Sequence, residues 1–123
     1  MNKRVLFLLI CLLLTGCGPE KQVYDLPPQV MVDGTIYGTT GYPVPGQSSD
    51  DTQTEGTITS AVDSSEVPTE DDQSNFGTGY GYRAGLHDGT LEVRIDGDWV
   101  IFATQEAKDT LDFTAEGYGY RSD

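Results

Sequence analysis

The sequence holds little cysteine. Two of its 123 residues are cysteines, and Cys11 lies inside an apolar N-terminal run that is typical of a signal segment. Removal of that segment leaves Cys17 as the single thiol, which excludes a disulfide framework and a thiolate metal site. A small domain without disulfides depends on its apolar core, so we expect modest stability.

Basic residues are scarce too. Seven lysines and arginines stand against twenty acids, and the formal net charge is −13. Proteins bind nucleic acids by neutralising phosphates with Lys and Arg, so we expect no nucleic-acid partner. An anionic membrane surface would also repel this chain, so we expect the domain to stand off the membrane.

Residues for catalysis are equally few. His87 is the single histidine, and its neighbour Asp88 points away from it on an extended chain, so the two do not form an orienting pair. No serine occupies a nucleophile-elbow pattern, and one histidine without cysteine does not make a zinc site. We expect no enzymatic activity, no metal site and no cofactor.

Long apolar runs are missing as well. The run Val5–Leu14 has ten residues, whereas a membrane-spanning helix needs about 20. Lys3 and Arg4 precede the run and small residues follow it, which is the anatomy of a secretory signal peptide. We therefore expect residues 1–16 to be cleaved.

The end of this run carries a specific motif. Leu14-Thr15-Gly16-Cys17 resembles the lipobox of bacterial lipoproteins, which implies cleavage before Cys17 and a diacylglyceryl group on its thiol. The alternative is an ordinary signal peptide with a chance cysteine near its cleavage site. Two acyl chains, at about 0.8 kcal/mol per buried methylene, anchor a protein stably. Cleavage leaves five basic and twenty acidic residues, a net charge of −15. Membrane lipid would then be a partner through Cys17, on the extracytoplasmic face of the cell membrane.

Composition divides the rest of the chain into three parts. Residues 17–28 are polar and end in Pro27-Pro28, which predicts a lipidated, flexible tether. Residues 29–104 carry the β-prone segments and form the expected domain. Residues 105–123 have a poor apolar stripe, and we expect a loosely ordered tail, although Thr104 could cap a helical turn or two.

Two Asp-Gly pairs predict β-hairpins with two-residue type I′ turns. Asp33-Gly34 lies within residues 29–40, and Asp96-Gly97 lies within Leu91–Ala103. The second turn sets Ile95 opposite Asp98 and thereby defines two faces of the hairpin. The expected core face comprises Leu91, Val93, Ile95, Val100 and Phe102. The other face comprises Arg94, Trp99 and Ile101, with the guanidinium over the indole.

Polar segments separate the hairpins. We predict a loop over residues 41–56, one short strand over Thr57–Val62 and a second, acidic loop over Asp63–Asn75. Between Asp50 and Asp72 there are eight acids and no base. A site for a divalent cation or a cationic partner is one interpretation; a solvated surface is the favoured one.

A five-residue motif occurs twice. Gly79-Tyr80-Gly81-Tyr82-Arg83 is repeated as Gly117-Tyr118-Gly119-Tyr120-Arg121. Strand periodicity puts Tyr80 and Tyr82 on one face. The favoured interpretation is a core strand, with a frayed second copy at the end of the chain. The alternative is a ligand-binding surface of Tyr80, Tyr82 and Trp99 for a glycan or peptide.

The middle of the chain is similar to a known group. Ile58-Thr59-Ser60-Ala61-Val62-Asp63, Glu66-Val67-Pro68-Thr69-Glu70 and Gln73-Ser74-Asn75-Phe76-Gly77-Thr78-Gly79-Tyr80-Gly81-Tyr82 resemble a stretch of small lipoproteins of clostridial-type Gram-positive bacteria. The resemblance covers residues 29–102. It implies a compact, membrane-anchored protein and brings no activity with it.

Together these patterns predict a mostly β chain: a small antiparallel domain of five or six short strands in hairpins, after a cleaved signal peptide and flexible tether. We expect a monomeric, non-enzymatic surface lipoprotein. It would present its acidic domain for interaction with an envelope protein or glycan, or for envelope maintenance. The alternative is a glycan- or peptide-binding module that uses the Tyr/Trp surface.

Overall fold

The computed structural model describes residues 25–46, 52–114 and 118–120. The fold is mostly β, with 44% strand and 7% helix, as the sequence predicts. The expected signal peptide, residues 1–16, and the lipidation site Cys17 lie outside the described residues. The elements, in chain order, are β1 (Gln29–Val32), β2 (Thr35–Pro43), β3 (Gly56–Thr57), β4 (Ser60–Ala61), β5 (Gln73–Ser74), β6 (Gly81–Ala84), β7 (Thr90–Ile95), β8 (Asp98–Ala103), α1 (Gln105–Thr110), β9 (Leu111–Asp112) and β10 (Gly119–Tyr120).

Eight of these strands form one curled sheet in the order β3-β6-β7-β8-β2-β1-β5-β4. Neighbouring strands are antiparallel except β4 and β5, which are parallel. Strands β9 and β10 form a separate antiparallel pair. The described residues thus hold ten strands rather than the expected five or six, because five of the ten are only two residues long. No helix in the described part of the chain is long and apolar enough to cross a membrane.

Both predicted hairpins are confirmed. Val32 pairs with Thr35, and Ile95 pairs with Asp98. Both turns have two residues at positive φ, 51° and 76° at Asp33-Gly34 and 53° and 87° at Asp96-Gly97. Positive φ at both central positions defines the type I′ turn, whose twist matches that of the flanking strands.

The predicted register of the central hairpin, β7 and β8, is also confirmed. Val93 pairs with Val100 and Leu91 with Phe102. Their face of the sheet packs into the main core, whose fully enclosed members are Val30, Ile58, Leu91, Val93 and Phe102. Burial of this cluster stabilises the fold by about 25 cal/mol per Å² of apolar area removed from water.

The expected single strand over Thr57–Val62 is wrong. β3 pairs with β6 at one edge of the sheet, whereas β4 pairs with β5 at the other. Ile58 lies between them with its side chain buried, and its backbone N–H donates to Tyr80 O at 2.8 Å. Since two residues connect the two edges, the sheet has to curl until its edges meet around Ile58.

The end of the tether is docked on the domain. The Leu26 N–H donates to Ser64 O at 2.9 Å, and the Asn75 side-chain amide donates to Pro27 O at 3.2 Å. The Thr39 N–H donates to Pro28 O at 2.9 Å. The expected tether, residues 17–28, is therefore fixed to the domain from Leu26 onward.

The expected loosely ordered tail, residues 105–123, is also corrected. Thr104 caps α1, as its position suggested, with its hydroxyl accepting from the Ala107 N–H at 3.1 Å. The described part of the tail builds a second core cluster on the other face of β8: Ile101, Ala103, Ala107, Leu111, Phe113 and Tyr118. The apolar stripe of the tail is short on its own, but Ile101 and Ala103 complete it.

Candidate functional site

The first Gly-Tyr copy is built into the main core. Tyr80 and Tyr82 both pack against the core cluster, and the rings of Phe76 and Tyr80 lie 5.3 Å apart. Gly56 lies beneath the Tyr82 ring, and a Cβ at that position would overlap the ring. The glycine of β3 is therefore required for the tyrosine of β6 to lie across it. As the favoured interpretation predicts, both tyrosines pack against the hairpin sheet, but only Gly81-Tyr82-Arg83 of the motif lie in a strand, β6.

The Tyr82 hydroxyl lies at an acidic end of the curled sheet. It donates a hydrogen bond to Asp72. Burial raises the pKa of Tyr82 far above its ordinary value, and the carboxylates of Asp72, Asp33 and Asp71 raise it further. The phenol is consequently neutral wherever the protein is folded near neutral pH.

A cavity of about 250 Å³ opens at this acidic end, with Asp33 and Glu55 in its lining. The acids there stabilise the protein's own backbone. Asp71 Oδ1 accepts from the Gly34 N–H at 2.7 Å, and Glu55 Oε1 accepts from the Ala84 N–H at 2.9 Å. Charge-assisted hydrogen bonds to backbone N–H groups are about twice as strong as neutral ones. These contacts hold the first hairpin turn and β6 in place.

Trp99 lies on the opposite face of the sheet and is 2% exposed. The guanidinium carbon of Arg83 lies 3.9 Å from the ring centroid, and that of Arg94 lies 5.8 Å away. The predicted Arg94 contact is therefore present, but Arg83 is closer. Arg83 Nε also donates to Glu92 Oε1 at 2.8 Å. Sequence spacing misses Arg83 because it comes from β6, a strand outside the hairpin.

The alternative interpretation, a binding surface of Tyr80, Tyr82 and Trp99, does not match the structure. Tyr82 pairs with Val93 and shares its core face, whereas Trp99 pairs with Arg94 on the reverse face. Alternate residues of a strand point to opposite faces of the sheet, so Tyr82 and Trp99 are separated by the backbone layer. The three aromatic side chains do not meet one ligand.

The second Gly-Tyr copy is docked rather than frayed. Tyr118 is 4% exposed, and its hydroxyl accepts from the Leu86 N–H at 2.9 Å. His87 Nε2 lies 2.8 Å from the Tyr118 carbonyl oxygen. Since a carbonyl only accepts, Nε2 carries the proton. The imidazole lies edge-on to two rings, 5.1 Å from Tyr118 and 5.2 Å from Tyr120.

A groove of about 350 Å³ lies beside this contact, and we call it the terminal groove. Its floor is the turn before β7, where the Thr104 N–H donates to Gly89 O at 2.9 Å. Gly89 has φ +79°, and a Cβ there would lie 2.9 Å from Thr104 Oγ1, so this close approach requires glycine. The groove is lined by Asp88, Gly89, Thr104, Glu106, Ala107, Thr110 and Tyr120.

The terminal groove joins three kinds of chemical group. Tyr120 is 69% exposed and presents an aromatic ring. Asp88 and Glu106 contribute exposed carboxylates, and threonine hydroxyls line the same space. Among the described residues, no group of three or more His, Cys, Asp or Glu side chains is arranged to hold a metal ion. The groups in the groove suit reversible binding through hydrogen bonds, charge and an aromatic face.

Sequence reasoning missed this groove. Its parts come from the 86–89 turn, α1 and β10, and Asp88 and Tyr120 are 32 positions apart in the sequence. The sequence feature that could have indicated the groove is the repetition of the Gly-Tyr motif, whose first copy lies shortly before His87. Comparisons with protein-family models, with curated proteins and with solved structures find no match to this chain.

Proposed function

We propose that this chain is a non-enzymatic lipoprotein, anchored through Cys17 on the extracytoplasmic face of the cell membrane, that presents its acidic β domain to a partner in the envelope. The motif Leu14-Thr15-Gly16-Cys17 at the end of a ten-residue apolar run carries this proposal. The resemblance of residues 56–82 to small clostridial-type lipoproteins is consistent with it.

The place where the tether, residues 17–28, reaches the domain supports the proposal. Residues 25–28 leave the domain beside Ser64, which accepts from the Leu26 N–H and whose hydroxyl lies 2.6 Å from Asp25 Oδ1. Leu26, the residue from which the tether is fixed to the domain, is nine residues after Cys17. A fully extended chain spans at most about 3.6 Å per residue, so the domain would stand no more than about 32 Å from the lipid.

The charge of the domain supports presentation to a partner rather than contact with the bilayer. With residues 1–16 removed, five basic residues stand against twenty acids. Two of the five, Arg83 and Arg94, lie over the buried Trp99. An anionic headgroup layer repels such a domain, whereas a positively charged partner is drawn to it.

Membrane fractionation of cysteine variants tests the anchor. Cys17→Ser removes the thiol that would receive the lipid, and Cys11→Ser is the matched control because Cys11 would leave with the signal segment. Wild type and Cys11→Ser should incorporate a labelled fatty acid and stay with the membranes. Cys17→Ser should carry no label and leave the membrane fraction. Retention of Cys17→Ser at the wild-type level would contradict the proposal.

A further inference from the structure

The terminal groove has the size of a site for one or two side chains. Its volume of about 350 Å³ is near the lower end of the roughly 300–1,000 Å³ that ligand clefts enclose. It lies between the 86–89 turn, α1 and β10, so three separate segments of the chain form its walls. The side chain of a partner would fit into this space.

The exposed ring in the groove is held in position. Tyr120 belongs to β10, whose pairing with β9 sets Leu111 opposite it. The His87 ring contacts the Tyr120 ring at 5.2 Å between centroids, with an interplanar angle of 64°. An aromatic ring fixed at the surface offers its negative face to a cation at little entropic cost.

Two carboxylates lie in the same groove, on different elements. Asp88 belongs to the turn and Glu106 to α1, and both are exposed. At the acidic end, by contrast, Asp71, Asp72 and Glu55 bind groups of the protein itself. The acids of the terminal groove, together with the Tyr120 ring, therefore match a ligand that carries positive charge.

We propose that the terminal groove binds a lysine or arginine side chain from a basic segment of a partner protein. Asp88 and Glu106 would pair with the cation, and the Tyr120 ring would lie against the cationic end of the side chain. The net charge of −13 would draw a basic segment toward the domain and raise its association rate at low salt. This inference supplies a partner chemistry for the proposed function, but the groove does not require the lipid anchor.

Calorimetric titration of the purified full-length protein in neutral detergent micelles tests the proposal without a membrane. The probe is a capped trilysine peptide, and a capped triglutamine peptide is the neutral control. The double variant Asp88→Asn/Glu106→Gln removes both groove charges. The matched control, Asp96→Asn/Asp98→Asn, removes two charges at the turn between β7 and β8. Far-UV circular dichroism verifies the fold of each variant.

The trilysine peptide should bind and the triglutamine peptide should not. The groove double variant should weaken trilysine binding about tenfold, as expected for two exposed charge pairs. The control double variant should change it less than twofold. Tyr120→Leu should also weaken binding, whereas Tyr120→Phe, which keeps the ring, should retain it.

Three outcomes would overturn the proposal. Equal losses in the two double variants would mean that only net charge attracts the peptide. Absence of trilysine binding at millimolar concentration and low salt would mean that the groove does not take a cation. Binding of a neutral N-acetylglucosamine tetramer, with no binding of trilysine, would assign the groove to a glycan. None of these results would bear on the Cys17 anchor, which the fractionation experiment tests separately.

Discussion

His87 Nε2 lies 2.8 Å from the carbonyl oxygen of Tyr118, although 31 positions separate the two residues in the sequence. The contact joins the turn before β7 to the second Gly-Tyr copy. With the Leu86 N–H donating to the Tyr118 hydroxyl, it holds β10 against the domain and places Tyr120 in the terminal groove. A segment expected to fray is thereby part of the candidate site.

Removing the Tyr118 hydroxyl should loosen this contact. Tyr118→Phe removes the acceptor of the Leu86 N–H from a part-buried hydrogen bond, which should lower the free energy of unfolding by about 1 kcal/mol. Tyr120→Phe is the control because that hydroxyl is on an exposed side chain. Urea unfolding and hydrogen exchange at the Leu86 amide measure the two effects. Equal stability of both variants would show that the Tyr118 contact does not hold the tail.

Alanine at Gly89 should destabilise the protein through two separate effects. The residue has φ +79°, and a Cβ would press on Thr104 Oγ1 at 2.9 Å. Gly97→Ala is a matched control because Gly97 has φ +87° with open space around it, so it carries the backbone strain alone. We expect a loss of about 1 kcal/mol for Gly97→Ala and about 2–3 kcal/mol for Gly89→Ala. Equal losses in urea unfolding would rule out the close approach of the turn to α1.

The raised pKa of Tyr82 predicts a loss of stability at high pH. The unfolded chain releases the phenolic proton near the ordinary pKa of 10, whereas the folded protein holds it to higher pH. The stabilisation is therefore complete below pH 10 and declines as the pH rises above it. Ultraviolet titration should find a tyrosine that resists ionisation until the protein unfolds.

Tyr82→Phe should abolish that resistant phenol, while Tyr120→Phe, a change on an exposed side chain, should leave it in place. The variant Tyr82→Phe should also weaken the dependence of stability on pH above 10. If the resistant phenol persists in Tyr82→Phe, the burial of this hydroxyl beside Asp72 is not the cause.

Replacing Arg83 should disturb the packing of Trp99 on the reverse face of the sheet more than replacing Arg94. Arg83→Met removes the closer cation from the Trp99 ring and leaves Glu92, whose side chain is 8% exposed, without its 2.8 Å partner. A mostly buried carboxylate that loses its partner should cost about 2–4 kcal/mol of unfolding free energy. Arg94→Met removes the more distant cation, 5.8 Å from the ring centroid, and keeps the Arg83–Glu92 ion pair, so it should cost less than Arg83→Met.

Unfolding monitored by Trp99 fluorescence measures both arginine variants, and iodide quenching reports the exposure of the indole. Wild-type Trp99 should resist quenching, and Arg83→Met should increase it. A larger loss of stability for Arg94→Met than for Arg83→Met would reverse the assigned order.

Local signals predicted the hairpins but not their assembly. Asp33-Gly34 and Asp96-Gly97 determine turn type and register through positive φ, which depends on neighbouring residues alone. The Ile58-Thr59 pair, in contrast, joins opposite edges of the sheet: the Ile58 N–H donates to Tyr80 O and the Thr59 N–H donates to Asp72 O. No periodicity within six residues indicates such distant partners. The sequence of Thr57–Val62 favours one strand, whereas the closure of the sheet divides this segment between β3 and β4.

The burial of Trp99 and the position of Tyr120 in the terminal groove could not be predicted for the same reason. Trp99 belongs to a correctly predicted strand, yet its burial depends on Arg83 from β6. Tyr120 was expected to fray because β9, its pairing partner, was not foreseen in a segment with a weak apolar stripe. Contacts between segments distant in the sequence determine both the burial of Trp99 and the position of Tyr120.

Anchoring of the domain through Cys17 can be measured by mass spectrometry of the protein extracted from the membranes of cells that express it. We expect a mature chain that begins at Cys17, with the mass of a diacylglyceryl group on its N-terminal fragment. A chain that begins at another residue, or that carries an unmodified Cys17 thiol, would contradict it.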